Sequence, residues 1–452
     1  MKRALIPVFT LLLMLKVVFA QDLPRPTERQ LVWQALETTA FIHFTVNTYT
    51  GKEWGDGTES PSIFNPTDFD AKRMIRTLKK AGFKMAIITA KHHDGFCLWP
   101  SDFTAHSVKN SPWRNGNGDV VKEIEQACRK YGLKFGFYLS PWDQNHPSYG
   151  TPAYDIYYKN QLRELLTNYG EVAEVWFDGA KGKNAKNMEY DFAGYWDLVR
   201  EMQPEAVIFS DVGPDVRWVG NEKGLAGETM WSTINVKAEN APGRMSPAYL
   251  NVGDRNGKLW IPAETDVSIR PGWFYHEEEN DKVRTPQNLV DLYYTSVGRN
   301  SLLLLNIPPN KRGVFSPQDE KNLREFKSII KKTFKRNLAH KRAEKVLTDG
   351  QMQTFVTLEN DNAYEIDFRK KVTFDRVMLQ EHIAEGQRSE EGSIEYWNGT
   401  AWSTLCSFTT IGYKRLLRTE TISTTKIRFK VSKAIKPVQL SEIGFFLASK
   451  RE

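Results

Sequence analysis

Glu174-Val175-Trp176-Phe177-Asp178-Gly179 is the stretch of sequence that decides the fold. An apolar and aromatic run ends at one carboxylate, and a glycine follows at once. A short apolar run that is closed by a turn residue is typical of a buried strand. The carboxylate then lies where the strand opens into a loop. In a barrel of parallel strands, catalytic side chains gather at this edge.

This run is one of several strand-like segments that alternate with helical segments between residues 31 and 310. The alternation predicts parallel strands joined by crossover helices, and the number of units favours a (β/α)8-like TIM barrel, an α/β fold, over an open sheet. Between residues 211 and 288 the periodicity degrades, so irregular strands are expected there. The predicted strands are Thr39–Phe44, Lys84–Ala90, Lys134–Ser140, Val172–Asp178, Ala206–Ser210 and Ser301–Ile307, and the predicted helices are Ala71–Ala81, Val120–Tyr131, Asp155–Tyr169, Tyr190–Met202 and Leu289–Val297.

The pattern changes after about Arg342. Residues 318–340 are helical and basic, and we expect them to connect two domains. Short alternating strands separated by turn residues follow, which is typical of an all-β sandwich. We therefore predict a catalytic barrel over residues 21–340 and a β-sandwich over residues 341–452. The predicted sandwich strands are Thr354–Leu358, Tyr364–Phe368, Val372–Leu379, Ser393–Trp397, Lys426–Val431 and Glu442–Leu447.

Residues 1–20 have the features of a secretion signal. Met1-Lys2-Arg3 is basic, an apolar run follows, and the segment closes with Ala20, a small residue of the kind that signal peptidase prefers. Pro7 and Lys16 interrupt the run, so an uncleaved anchor is the alternative. We expect a cleaved signal peptide, export to the periplasm or the extracellular medium, and no membrane span after cleavage.

Composition narrows the classes of function. The net charge is +7, and basic and acidic residues are interspersed, so nucleic-acid binding is not indicated. The three cysteines, Cys97, Cys128 and Cys406, are widely spaced and do not suggest a disulfide framework. Aromatic residues make up 12% of the chain. This fraction is compatible with sugar binding, although a large barrel core accounts for most of these residues.

Lys91-His92-His93-Asp94 directly follows a predicted strand. Two adjacent histidines at a strand end could bind a metal ion or hydrogen-bond to hydroxyl groups. Neighbouring side chains in an extended segment point to opposite sides, which makes joint metal binding awkward. The sequence therefore favours hydroxyl recognition over metal binding, with a structural role as a further alternative.

His43 lies at the end of the first predicted strand, and Tyr138 and Trp142 lie at the end of the third. A lone histidine in such a position is more often a core residue than a ligand. Three successive strand ends that carry polar or aromatic groups nevertheless favour one shared pocket, on the same face as Asp178.

Glu222 is a second acid that suits this face. It stands 44 positions after Asp178, which corresponds to about one helix, one strand and a loop. The spacing predicts two carboxylates on adjacent barrel units, an arrangement that suits cleavage of a glycosidic bond. A solvated loop acid beside Lys223 is an equal alternative for Glu222, and Glu264 is a rival proton donor. Trp273 is a candidate for stacking on a sugar, because irregular loops over a barrel mouth are often functional.

Five segments of the chain resemble the α-L-fucosidases of glycoside hydrolase family 29. They are FIHF from Phe41 with Glu53-Trp54 behind it, KHHDGFCLWPS from Lys91, VWFDG from Val175, RWVGNEKG from Arg217, and LLLNIPP before the second domain. The resemblance covers nearly all of the chain after residue 20. It implies a retaining, exo-acting glycosidase that needs no cofactor and no metal ion.

By this resemblance, Asp178 is the nucleophile and Glu222 is the general acid and base. Such a pair of carboxyls is expected to lie about 5–5.5 Å apart, and the pKa of Glu222 is expected to be raised. The Gly220-Asn221-Glu222 sequence resembles the subgroup that prefers α-1,3- and α-1,4-linked fucose in branched, Lewis-type glycans. The implied substrate-binding residues are His43, Glu53, Trp54, His92, His93, Tyr138, Trp176, Arg217 and Trp273.

The implied partners are fucosylated oligosaccharides or glycoconjugates. The second domain resembles a discoidin-like carbohydrate-binding fold, but no trio of aromatic residues stands out at its loop tips, so we expect it to brace the barrel. Four alternatives stay open: a fucosidase of broad linkage specificity, a hydrolase for another deoxy or galacto sugar, a non-catalytic sugar-binding barrel, and a metal-dependent hydrolase that uses His43, His92 and His93.

Overall fold

The computed structural model describes residues 22–237 and 242–452. The expected secretion signal, residues 1–20, lies outside the described residues. Eight parallel strands form a nearly closed barrel, and a six-stranded antiparallel sheet follows it. The predicted (β/α)8-like barrel with a C-terminal β domain is thereby confirmed. Within the described ranges, no helix is both long and apolar enough to cross a membrane.

The barrel domain contains strands β1–β10 and helices α1–α9. The strands are β1 (Thr38–Ile42), β2 (Met85–Lys91), β3 (Lys134–Leu139), β4 (Glu174–Trp176), β5 (Val207–Phe209), β6 (Arg217–Trp218), β7 (Thr233–Ile234), β8 (Leu259–Trp260), β9 (Ala263–Ser268) and β10 (Leu302–Asn306). The helices are α1 (Glu28–Gln34), α2 (Asn47–Thr50), α3 (Ala71–Ala81), α4 (Val120–Tyr131), α5 (Ala153–Asn168), α6 (Phe192–Met202), α7 (Pro247–Val252), α8 (Pro286–Thr295) and α9 (Pro317–Thr333).

The barrel strands are hydrogen-bonded in the order β5, β4, β3, β2, β1, β10, β9, β6. A parallel bridge between Phe209 and Val216 lies at the remaining junction, between β5 and β6. The chain passes from β5 to β6 through residues 210–216, and this fully described segment contains no helix. Strands β7 and β8 pair with each other outside the barrel, in the long excursion between β6 and β9.

The prediction that Asp178 and Glu222 belong to adjacent barrel units is wrong. Asp178 follows β4 and Glu222 follows β6, so that β5 lies between them. The reason is that β6 consists of Arg217 and Trp218 alone. A strand of two residues, without an apolar run and without a preceding helix, leaves no hydrophobic period in the sequence.

Helices α3 and α4 begin and end at the predicted residues because the sequence marks both ends of each. The side chain of Asp70 accepts a hydrogen bond from Arg73 N (2.8 Å) at the start of α3, and Asp119 caps α4 in the same way. Such capping acids satisfy amide groups that have no partner inside the helix. Gly82 and Gly132 end the two helices with positive φ angles of 93° and 65°, a conformation that glycine adopts without strain.

Successive side chains of β4 point alternately into two hydrophobic cores. The same alternation sets the direction of Asp178, which follows the strand. Val175 and Phe177 pack in the cluster between the strands and the helices. Trp176 belongs to a second cluster inside the barrel. Because side chains two residues apart in an extended chain share a face, Asp178 points in the same direction as Trp176, toward the mouth of the barrel.

The C-terminal domain is one continuous hydrogen-bonded sheet in the order β11, β16, β12, β15, β13, β14. Two predicted strands merge into the long β12, which bends at shifts in register. Strand β14 and the first half of β15 were not predicted, because their apolar residues do not alternate cleanly. The strands are β11 (Val356–Leu358), β12 (Ala363–Glu381), β13 (Ser389–Trp397), β14 (Trp402–Phe408), β15 (Arg415–Ala434) and β16 (Val438–Phe446).

The connection between the domains is shorter than the predicted helical segment 318–340. Helix α9 ends at Thr333. Leu338 N already donates a hydrogen bond to Phe445 O (2.9 Å), and Ala339 is buried in the core of the C-terminal sheet. The two domains therefore meet within a few residues of the end of α9.

Glu37, in the turn before β1, ties the two domains together. Its carboxylate accepts hydrogen bonds from Tyr293 of the barrel (2.8 Å) and from Tyr413 (3.3 Å), and it pairs with Lys414. Burial alone would raise the pKa of Glu37. The Lys414 ammonium and the tyrosine hydroxyl outweigh burial and lower this pKa from 4.5 to about 2. The ionised form of Glu37 is therefore favoured in the folded protein.

The substitution Glu37→Gln is expected to lower the free energy of unfolding by about 1.5–3 kcal/mol at pH 7, because hydrogen bonds to a charged group are lost. Since the folded pKa is depressed, this contribution is complete above pH 4.5 and disappears as the pH falls toward 2. Calorimetric unfolding at pH 7 and pH 3.5 should show the difference from the wild type narrowing. The exposed control Glu359→Gln should show no difference, and an equal difference at both pH values contradicts the assignment.

Candidate active site

A cavity of about 360 Å³ opens at the carboxyl ends of the barrel strands. Its volume is at the lower end of the range of about 300–1,000 Å³ that is usual for small-molecule sites, which suits one terminal sugar better than a long stretch of glycan. The lining residues are Phe41, His43, Trp54, His92, His93, Tyr138, Trp176, Asp178, Gly179, Ala180, Lys181, Asp211, Trp218, Glu222, Gly243, Asp266 and Trp273.

Asp178 is fixed by neutral hydrogen-bond donors. Tyr138 donates its hydroxyl to Oδ2 (2.9 Å), and Ala180 N donates to Oδ1 (2.8 Å). His93 Nε2 lies 3.6 Å from Oδ2. Burial raises the pKa of Asp178, and the two hydrogen bonds partly oppose this effect. The carboxylate is thus oriented toward the cavity without being neutralised by an adjacent cation among the described residues.

Glu222 lies at the same cavity and is held by Trp273, whose Nε1 donates to Oε2 (3.1 Å). Burial raises the pKa of Glu222, the hydrogen bond from Trp273 lowers it, and the charges of Asp178 and Glu53 raise it further. The negative charge of Asp178 therefore helps Glu222 to keep its proton. Two carboxyls with different partners at one cavity can divide the roles of anion and proton donor.

Three neutral histidines also line the cavity. His43 Nδ1 is hydrogen-bonded to Asn306 Oδ1 (2.9 Å), and His93 Nδ1 is hydrogen-bonded to Ser140 Oγ (2.7 Å). Burial lowers the pKa of both rings to about 3 and lowers that of His92 as well. Each ring is therefore uncharged at neutral pH, and its free nitrogen can exchange a hydrogen bond with a hydroxyl group.

A row of aromatic rings runs across three neighbouring strands, and two of these rings, Tyr138 and Trp176, line the floor of the cavity. Tyr138, Trp176 and Phe209 are register partners on β3, β4 and β5. Trp176 stacks on Phe209 with ring centroids 4.0 Å apart and planes at 8°, and it lies 5.4 Å from Tyr138. Flat apolar surface of this kind suits the C–H faces of a sugar ring.

The histidines do not form a metal site in this arrangement. In the parts of the chain that the structure describes, three or more His, Cys, Asp and Glu side chains nowhere converge in a way that could hold a metal ion. Their hydrogen bonds to Asn306 and Ser140 instead set the orientation of the rings.

Comparison with known proteins identifies the family. The α-L-fucosidase family profile matches residues 26–333. Alpha-L-fucosidase 1 of Arabidopsis thaliana is 44% identical over 447 residues, which cover 94% of this chain and 88% of that protein. The chain belongs to the α-L-fucosidase family, glycoside hydrolase family 29. An identity of this size over most of the chain supports α-L-fucosidase activity.

Solved structures of family members have the same fold over nearly the whole chain. A glycoside hydrolase 29 family member from an unknown rumen bacterium is 44% identical, with a TM-score of 0.87 and coverage of 95% of this chain and 78% of that one. A Ruminococcus gnavus GH29 fucosidase in complex with fucose is 36% identical, with a TM-score of 0.86 and coverage of 94% and 95%.

The structure brings nine of the eleven predicted site residues of this fucosidase family member to the lining of one cavity. Glu53 lies behind the lining, where Oε2 accepts a hydrogen bond from Trp273 N (2.9 Å) and Oε1 contacts His276 Nε2 (2.6 Å). Glu264, the rival proton donor, is fully buried in the barrel interior, beneath Trp176. These two acids can position Trp273 and Trp176, but neither lines the cavity.

Arg217 is the clearest departure from the predicted site. Its side chain is fully buried and points away from the cavity, into the excursion after β6. Nε donates to Leu250 O (3.0 Å), and Nη2 donates to Trp231 O (2.8 Å) and lies 3.3 Å from Met230 Sδ. The adjacent residue Trp218 faces the cavity instead, because successive side chains of a strand alternate. Arg217 therefore holds the backbone of this loop and does not contact the cavity.

Asp211, Trp218 and Asp266 are among the lining residues that were not predicted from the sequence. Trp218 Nε1 donates to Asp266 Oδ1 (2.8 Å). Asp211 follows β5 just as Asp178 follows β4, and this repeated placement is the one signal in the sequence that could have revealed it.

The neighbours Arg217 and Trp218 should give opposite results on substitution. Arg217→Lys leaves at least one buried carbonyl without a donor, so we expect a loss of about 1–3 kcal/mol in the free energy of unfolding. Trp218→Phe should keep most of the stability but lower kcat/KM for an aryl α-L-fucoside by about tenfold or more, since the cavity wall and the bond to Asp266 are lost. Thermal unfolding and steady-state kinetics of both variants check this contrast, and the reverse pattern contradicts it.

Proposed function

We propose that the protein is a retaining exo-α-L-fucosidase in which Asp178 is the nucleophile and Glu222 is the general acid and base. The observation that carries the proposal is that these two acids line a single cavity at the catalytic end of the barrel. Family membership and the small volume of the cavity support an exo-acting enzyme that removes one terminal fucose.

In the first step, an Asp178 carboxylate oxygen attacks C1 of the α-fucoside while Glu222 transfers its proton to the departing glycosidic oxygen. The C1–O bond to the leaving group breaks, and a β-fucosyl ester of Asp178 forms. The hydrogen bonds from Tyr138 and Ala180 support this role, because they favour the anion that must attack. The raised pKa of Glu222 supports the role of proton donor.

In the second step, the Glu222 carboxylate removes a proton from water, and the water oxygen attacks C1. The ester bond to Asp178 breaks, α-L-fucose is released, and both acids regain their starting protonation. The transition states of both steps carry positive charge on the sugar ring. Neutral histidines suit such a transition state better than protonated ones, because they add no competing positive charge.

The linkage preference that we propose is for α-1,3- and α-1,4-linked fucose. The support is the Gly220-Asn221-Glu222 sequence, which resembles the subgroup with this preference. Asn221 Nδ2 donates to Leu225 O (2.8 Å), which fixes the turn that carries Glu222. Fucosylated oligosaccharides or glycoconjugates of the Lewis type are the proposed substrates.

We also propose that the protein is exported to the periplasm or the extracellular medium. The support is the basic start, apolar run and terminal Ala20 of residues 1–20. Determination of the first residue of the mature protein after expression with the complete leader would test this.

Azide rescue distinguishes the two acids. Asp178→Gly should lower kcat for an aryl α-L-fucoside by about 10³-fold or more, because the covalent step is lost. Azide should restore turnover and give β-fucosyl azide, since it attacks from the side that the carboxylate vacated. The matched variant Glu222→Gly should give α-fucosyl azide, because azide then replaces water in the second step.

Nuclear magnetic resonance of the two products identifies their anomeric configurations. The assignment of Asp178 fails if Asp178→Gly keeps substantial activity without azide and is not rescued by it. The assignment of Glu222 fails if its variant yields the β product.

The linkage preference is tested by kcat/KM for trisaccharides that carry α-1,2-, α-1,3- or α-1,4-linked fucose. We expect values at least about tenfold higher for the α-1,3 and α-1,4 isomers, a difference of about 1.4 kcal/mol in transition-state stabilisation. Comparable values for all three isomers would establish broad linkage specificity instead.

A further inference from the structure

Asp211 is a third carboxyl in the catalytic cavity, and the proposed reaction gives it no role. It follows β5 in the way that His43 follows β1. In both cases an aromatic ring inside the barrel, Phe209 or Phe41, precedes the polar residue by two positions. Side chains two residues apart in an extended chain share a face. Asp211 therefore points into the same mouth of the barrel as the residues of the fucose site.

The position of β5 places Asp211 between the two catalytic acids. Strands β4 and β6, which precede Asp178 and Glu222, are the neighbours of β5. Strand β1, which precedes His43, is four strands away from β5 in either direction around the barrel. Asp211 thus lies across the cavity from His43, which is available for a hydroxyl group of fucose.

The leaving group must depart on this side of the cavity. In the proposed reaction the glycosidic oxygen has to reach Glu222 while C1 faces Asp178, and the fucose ring is expected to contact His43 and His92. The sugar unit attached to the glycosidic oxygen is then directed toward the end of the cavity that is formed by residues 179–181, Asp211 and Gly243.

The surroundings of Asp211 keep its carboxyl accessible to this end of the cavity. Gly243 N donates a hydrogen bond to Oδ2 (2.7 Å). Among the described residues, Gly243 is the only residue other than Asp211 itself that donates a hydrogen bond to this carboxyl. A side chain at Gly179 would collide with Oδ2, so the absence of a Cβ at that position leaves room for the acid.

Burial and the nearby charge of Asp178 raise the pKa of Asp211 to about 7. Near neutral pH this carboxyl can therefore accept or donate a hydrogen bond. Sugar hydroxyl groups also do both, so the two are chemically matched.

We propose that Asp211 binds a hydroxyl group of the sugar unit to which the fucose is attached, and thereby favours an oligosaccharide over a simple leaving group. This inference rests on the proposed function, because it assumes that Asp178 and Glu222 act on a fucosidic bond. Asp211 is a specificity-determining residue in this account, and it takes no part in bond making or bond breaking.

The ratio of two specificity constants tests the inference. One is kcat/KM for the Lewis X trisaccharide, and the other is kcat/KM for an aryl α-L-fucoside, which lacks a sugar leaving group. Asp211→Ala should lower the ratio by about 10- to 100-fold, because a hydrogen bond to a carboxyl is lost only in the trisaccharide complex. Asp211→Asn, which keeps hydrogen-bonding capacity, should lower it less.

The control is Asp197→Asn, which removes an exposed acid on α6 and should leave the ratio unchanged. Equal losses on both substrates in Asp211→Ala overturn the inference. If these equal losses of kcat/KM are accompanied by a lower Tm of the Asp211→Ala variant, Asp211 only supports the Gly243 segment. If the Tm is unchanged, Asp211 belongs to the fucose site itself.

A binding measurement separates this inference from the proposed function. The probe is N-acetyllactosamine, the disaccharide that remains when fucose is removed from Lewis X, and its Kd is measured by nuclear magnetic resonance titration. A Kd that rises about tenfold or more in Asp211→Ala supports the inference, and an equal Kd overturns it. If the wild-type protein hydrolyses neither fucoside, the proposed function fails, while this titration still decides whether Asp211 binds the sugar.

Discussion

The hydrogen bond from Trp176 Nε1 to Glu264 Oε1 (2.8 Å) is the interaction on which the shape of the candidate active-site cavity depends. It fixes the indole at the floor of the cavity, where the ring stacks on Phe209 and packs beside Tyr138. Tyr138 in turn donates its hydroxyl to Asp178. The orientation of Asp178 is thus connected through two packed rings to a carboxyl in the interior of the barrel. A small movement of Trp176 would be transmitted to the acid, because closely packed interiors have little free space to absorb it.

Glu264 can serve as this support because it does not lie there as an isolated charge. Glu174 of β4 lies close enough to influence its pKa, and Glu174 accepts a hydrogen bond from Trp33 Nε1 (2.8 Å). Burial raises the pKa of both carboxyls. The charge of Asp215 raises that of Glu174 further, and the charge of Glu174 raises that of Glu264 further, so at least one of the two keeps its proton at neutral pH. The pair therefore avoids the cost of two buried charges and still offers an acceptor to each indole.

Polar side chains that are buried inside the barrel determine which of its strands could be predicted from the sequence. Strand β4 was found because Val175 and Phe177 give it an apolar outer face, and the acid at its end pointed to the catalytic edge. All six residues of β9, Ala263–Ser268, are buried, yet Glu264 and Asp266 make the strand look like a polar loop. Each acid accepts a hydrogen bond from an indole N–H. Hydrophobic periodicity cannot reveal a strand whose buried face is satisfied by polar contacts from distant positions.

The C-terminal domain also provides distant polar partners for an irregular part of the barrel. The excursion between β6 and β9, which begins with the turn that carries Glu222, is too irregular to satisfy its own buried backbone groups. Met230 N donates to Thr410 Oγ1 (2.9 Å), Ser232 N donates to Gln387 Oε1 (2.9 Å), and Gln387 Nε2 returns a hydrogen bond to Met230 O (2.9 Å). Side chains of the second domain thus provide the hydrogen-bond partners that the backbone of a regular strand would find on a neighbouring strand. The C-terminal domain, which is expected from the sequence to brace the barrel, thus contacts the segment between β6 and β9, where strand structure is weakest.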